Sequence, residues 1–63
     1  MLKTTPDGIK ALRKRLGLTQ EDLARAIGIT FYSVNRWERG HSRPSRLAIR
    51  ALEALAESAR KTA

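Results

Sequence analysis

Apolar residues fall into four blocks along the 63-residue chain, each spaced as on one side of a helix. Ile9, Leu12 and Leu16 form the first block, and Leu23, Ala24 and Ile27 the second. Val34 and Trp37 make the third, and Leu47, Ala48, Ala51, Leu52 and Leu55 the fourth. No segment alternates as a half-buried strand does, and no internal repeat is visible. The pattern predicts helices over about 6–16, 20–27, 31–39 and 46–60, a coarse reading from spacing and punctuation. The expected fold is all-α: one compact four-helix domain over 1–63, with five helices as the alternative.

The polar residues between the blocks supply the ends of these helices. Thr5 is placed to cap the first helix, and Pro6 stands at its first position, where a missing N–H costs nothing. Gly17 is its expected stop. Thr19 and Asp22 can cap the second helix, while Leu18 and Leu23 are spaced as a hydrophobic staple. Gly28 stands where a left-handed residue is wanted, and Thr30 can cap a new helix almost at once, so the turn is three residues long. A second staple pair, Ile29 and Val34, flanks that cap. Arg43-Pro44 cannot easily continue the third helix, because the residue before proline is pushed away from helical angles. Ser45 then caps the last helix, which should fray near residues 59–61. Met1 to Thr4 reads as a loose tail.

The third helix has two unlike faces. At 100° per residue, Phe31, Tyr32, Asn35, Arg36 and Arg39 fall within an arc of about 140°, while Val34 and Trp37 anchor the opposite side. A face this rich in aromatic, amide and cationic groups is wasted unless it meets a partner. Charge names the partner class. Thirteen Lys and Arg against six Asp and Glu leave +7 on the chain, a balance that draws polyanions. The excess concentrates within residues 31–50, where Arg36, Arg39, Arg43, Arg46 and Arg50 face only Glu38. Nucleic acid is therefore the first expected partner, and a single α-helix carrying such a face is what the major groove of double-stranded DNA admits. Phe31, Tyr32, Ser33, Asn35 and Arg36 are the candidates for base contact: Arg suits guanine O6 and N7, Asn suits adenine, and an aromatic edge suits a thymine methyl. For Phe31 and Tyr32 the alternative is packing against a neighbouring helix. Arg39 and Arg43 are candidate phosphate clamps, as are Thr19 and Gln20 at the positive end of the second helix.

The segment LTQEDLARAIGIT, followed by SVNRWERG and RPS, resembles the helix-turn-helix domain of the XRE family, which includes the phage Cro and repressor DNA-binding domains. The resemblance runs from about Ile9 to Leu55. It implies that the first residues of the recognition helix and the one five positions in read bases, here Phe31, Tyr32, Ser33 and Arg36. It also implies that a glutamine at Gln20 holds a phosphate. Arg13 and Glu38 lie at the edges of their helices' buried stripes and are expected to pair, as an arginine and a glutamate at these positions commonly do in the family. The final segment departs from the commoner pattern, since one long helix replaces two shorter ones.

Other classes fit less well. There is no cysteine, so disulfides and thiolate zinc sites are excluded. His41 stands alone, which makes a metal site improbable, and Ser33, Glu38 and His41 form no catalytic set, so neither metal, cofactor nor enzymatic activity is expected. Trp37 reads as core. No stretch is apolar enough for a signal core or membrane span, which suggests a cytoplasmic, nucleoid-associated protein. A transcriptional regulator, more readily a repressor, is the leading reading; a protein-interaction module such as a toxin-binding antitoxin is the alternative. Binding by charge alone is a third. The last helix carries apolar residues over about 220° of arc, more than one core needs. That surplus predicts a homodimer, formed in solution or only on DNA, through Ile49, Leu52 and Ala56.

Overall fold

The computed structural model describes residues 2–61. Four helices follow in order: α1 (Pro6–Arg15), α2 (Gln20–Ile27), α3 (Phe31–Glu38) and α4 (Arg46–Lys61). Among the described residues there is no strand. The bounds differ from the expected ones by a residue: Leu16 and Arg39 are C-caps with helical angles rather than members of α1 and α3, and α4 continues to Lys61.

Each helix starts on the hydroxyl that the sequence offers. The N–H of Gly8 donates to Thr5 Oγ1 at 3.1 Å, that of Ser33 to Thr30 Oγ1 at 3.2 Å, and that of Ala48 to Ser45 Oγ at 3.2 Å. At α2 the cap is reciprocal. Asp22 N–H donates to Thr19 Oγ1 at 3.0 Å, and Thr19 N–H donates back to the Asp22 carboxylate at 3.0 Å. Those bonds from Thr19 hold the Asp22 carboxyl below its ordinary pKa.

The end of α2 sets the helix-turn-helix. Gly28 has φ 77° and ψ 33°, left-handed angles that a residue with a Cβ adopts only at a cost. This lets the N–H of Ile29 reach back to Ala24 C=O at 2.9 Å, and two residues later α3 begins. The same closure ends α1 and α3, where Leu18 N–H meets Arg13 C=O at 3.0 Å and His41 N–H meets Arg36 C=O at 2.9 Å.

The core gathers Ile9 and Leu12 of α1, Leu23 and Ala24 of α2, Val34 and Trp37 of α3, and Ala48 and Leu52 of α4. Leu18 and Ile29, the leading members of the two staples, pack against it. α3 lies against both α1 and α2, and α4 closes the far side of α2. Burial of one face of an eight-residue α3 is what holds it, because an isolated helix that short does not persist in water.

Two expectations need correction. The segment before α1 is not loose from Leu2 onward: Leu2 packs against the core, and the Lys3 carbonyl lies where a Cβ on Gly8 would stand. Met1 lies outside the described residues. On α4 the inward stripe is narrower than the apolar pattern. Leu52 is fully buried and belongs to the core, so it cannot be a contact residue between folded copies. Leu47 is instead 77% exposed.

Candidate nucleic-acid interface

The site is built around a buried ion pair. Glu38, at the end of α3, has a side chain 2% exposed and faces Arg13 of α1. Arg13 Nε donates to Glu38 Oε2 at 2.6 Å and Nη2 to Oε1 at 3.0 Å, while Nη1 donates to the Leu18 carbonyl at 3.0 Å. One guanidinium thus ties α1, the turn before α2, and α3 in a two-pronged geometry that lysine lacks. Burial pushes the Glu38 carboxyl up, but the bonds from Arg13 and Gln20 outweigh it and leave the pKa below its ordinary value. Arg13 is raised by the same contact.

The polar chain extends through Gln20. Its Nε2 donates to Glu38 Oε1 at 3.1 Å, and its Oε1 accepts from Asn35 Nδ2 at 3.2 Å. The structure therefore joins the Arg13–Glu38 pair to Gln20, expected at a phosphate, and Asn35, expected at a base. Gln20 and Asn35 are half-buried and spend their amides on this network. Periodicity could not show that link, because it depends on how the α2 start sits against the middle of α3.

Outside this network lies an open row. Phe31 is 48% and Tyr32 66% exposed, large values for aromatic residues in a small core-forming protein. Arg36 follows one turn after Tyr32. Its Cζ is 5.5 Å from the Tyr32 ring centroid, Nη1 donates to the Tyr32 hydroxyl at 3.3 Å, and Nη2 donates to the His41 carbonyl at 3.2 Å. Ser33 is half-buried, its hydroxyl 3.1 Å from that of Thr30. Arg39, Arg43, Arg46 and Arg50 are all exposed. Because Glu38 is turned inward and neutralised by Arg13, no acid among residues 31 to 50 opposes these charges from outside. Thr19 is exposed, its hydroxyl already accepting from Asp22 N–H but still able to donate.

The roles of Tyr32 as a neighbour of Arg36 and of the His41 carbonyl as its anchor were not foreseen. The first had a signal in the sequence, since residues four apart on a helix lie side by side. The second had none.

A buried face that fixes α3 and an outer row of aromatic and cationic groups define a helix-turn-helix protein. The chain belongs to the helix-turn-helix family HTH_3, of the XRE type, which it matches over residues 9–57. It is 45% identical over 42 residues to the HTH-type transcriptional regulator DicA of Escherichia coli K12, covering 67% of this chain and 31% of that protein. It is also similar to two type II methyltransferases. M.SsoII of Shigella sonnei is 38% identical over 47 residues, 70% of this chain and 12% of the enzyme. M1.ScrFI of Lactococcus lactis subsp. cremoris is 42% identical over 62 residues, 87% of this chain and 16% of the enzyme. The chain thus spans less than a third of the length of each of these relatives. No helix among the described residues is long and apolar enough to cross a membrane.

Proposed function

We propose that the chain is a sequence-specific double-stranded DNA-binding protein that acts as a transcriptional regulator, with α3 in the major groove. The observation that carries this reading is the row of exposed Phe31 and Tyr32 and half-buried Arg36 on a helix whose opposite side is locked into the core. A major groove about 12 Å wide admits one such helix. Phe31, Tyr32 and Arg36 reach bases. Ser33 and Asn35 lie on the flank of the same face, where Asn35 turns toward bases only by leaving Gln20. Thr19, the free N–H groups at the start of α2 beside Gln20, Arg39 and Arg43 hold phosphates.

The relatives support a regulator rather than an enzyme: one is named a transcriptional regulator, and the match to each methyltransferase takes in under a fifth of it. Repression, a cytoplasmic location and the absence of catalysis belong to this reading. So does a homodimer, assembled on DNA, with Ile49 and Ala56 as contact residues.

Selection of bound duplexes from a random pool, followed by titration at two salt concentrations, tests it. One enriched sequence should emerge and bind at least about a thousandfold more tightly than random DNA. Arg36→Ala should weaken that site by about 1 to 3 kcal/mol and relax one position, whereas Arg43→Ala should weaken all sequences alike. Equal affinity for selected and random DNA would leave charge alone as the basis of binding.

A further inference from the structure

Arg36 is held from two sides. The Tyr32 hydroxyl and the His41 carbonyl accept from its two terminal nitrogens, and the phenol ring lies along the guanidinium. A guanidinium has five N–H donors. Two are used here, and three remain, one more than the O6 and N7 of a guanine require. Arg36 can therefore be anchored by the protein and read a base at once.

That anchoring constrains what lies beside the guanine. Tyr32 stands one helical turn before Arg36, about 6 Å along the axis. Its ring is 66% exposed and flanks the guanidinium. The bond of 3.3 Å from the guanidinium to the Tyr32 hydroxyl keeps the ring beside whichever base Arg36 contacts. Its hydroxyl is already engaged with Arg36, so it presents C–H groups. The one apolar edge in the major groove is the 5-methyl group of a pyrimidine.

We propose that Tyr32 and Arg36 read DNA as one unit: Arg36 takes a guanine, and the Tyr32 ring takes the 5-methyl group of an adjacent pyrimidine, thymine or 5-methylcytosine. This rests on the DNA-binding reading above. It names part of the recognised site, a guanine stacked on a methylated pyrimidine, and makes Tyr32 a specificity-determining residue.

The test uses the whole chain and the site selected from random duplex DNA. Replacing thymine beside the critical guanine with uracil removes only the methyl group and should weaken binding about fourfold, the worth of one buried methyl. Placing cytosine or 5-methylcytosine there, paired with guanine, separates the two sources: 5-methylcytosine should bind more tightly than cytosine by a similar factor. Tyr32→Phe should keep this sensitivity, because the ring remains. Tyr32→Ala should lose it, with circular dichroism checking that the helices persist. Equal affinity for thymine and uracil, methyl sensitivity that survives Tyr32→Ala, or a selected site with no guanine beside such a pyrimidine would each overturn the proposal while leaving sequence-specific binding intact. If no sequence is enriched, the proposal and the broader reading fall together.

Discussion

At the scale of single residues, the chain divides its polar groups between holding and reading. Arg13 and Glu38 hold. Their contact buries a carboxylate with a side chain only 2% exposed, so removing one partner strands the other. Arg13→Ala is expected to cost about 3 to 5 kcal/mol, a large part of the stability of a domain this small. Lys14→Ala, at an exposed neighbour, should change little. Urea titration of the two variants measures the difference. The pair also sets the response to acid. Glu38 has a folded-state pKa below its ordinary 4.5, so its stabilising contribution is fully present above that value and is lost as pH falls through the folded one. Thermal melts from pH 6 down to pH 2.5 should show Tm falling below about pH 4.5. In Glu38→Gln, less stable at neutral pH, the fall should be shallower; an unchanged acid slope would exclude Glu38 as its source. Gln20 has a different place. Its amide joins Glu38 to Asn35, so Gln20→Ala frees the Asn35 side chain and should both lower stability and change the preference at whichever base Asn35 then reaches.

At the scale of helices, the ends were legible and the path of the chain before α1 was not. Thr5, Thr19, Thr30 and Ser45 cap because a hydroxyl before a helical block has few other places to bond. Gly28 turns because only glycine takes left-handed angles freely. These are local rules, and local sequence contains them. The packing of Leu2 and the passage of Lys3 over Gly8 are long-range choices with no periodic trace. They give Gly8 a meaning that propensity would reverse. In an exposed helix Gly→Ala usually stabilises, by up to about 1 kcal/mol. Here a Cβ would meet the Lys3 carbonyl, a backbone atom that cannot swing aside. Gly8→Ala should therefore lower Tm or release the segment before α1, which amide exchange at Lys3 and Thr4 would detect. A rise in Tm with unchanged exchange would show that the crossing contributes nothing. The breadth of α4 was misread for a related reason. Apolar spacing gives an arc but not the rotation at which a helix docks, so Leu52 turned out to be core and Leu47 surface.

At the scale of the whole molecule, charge and size bear on how specificity is reached. A net +7 favours any DNA, so discrimination has to come from the few side chains of α3. One helix offers few readers, chiefly Phe31, Tyr32 and Arg36; a second copy doubles them. The fold extends 32 × 21 × 19 Å along its principal axes, so two copies set side by side across a shorter axis fit on one face of DNA with their α3 helices one turn, about 34 Å, apart. The surface between them would be small. With Leu52 buried, the contact residues left on α4 are the half-buried Ile49 and Ala56, and a small contact of this kind favours assembly on DNA over a tight dimer in solution. The expected behaviour is a monomer when free and a pair on the selected site, which should then be an inverted repeat bound cooperatively. Analytical ultracentrifugation with and without that duplex gives both stoichiometries. Ile49→Ala should reduce cooperativity on the full site more than affinity for an isolated half-site. One chain bound at saturation to a site without two-fold symmetry would show that a single α3 and its arginines suffice.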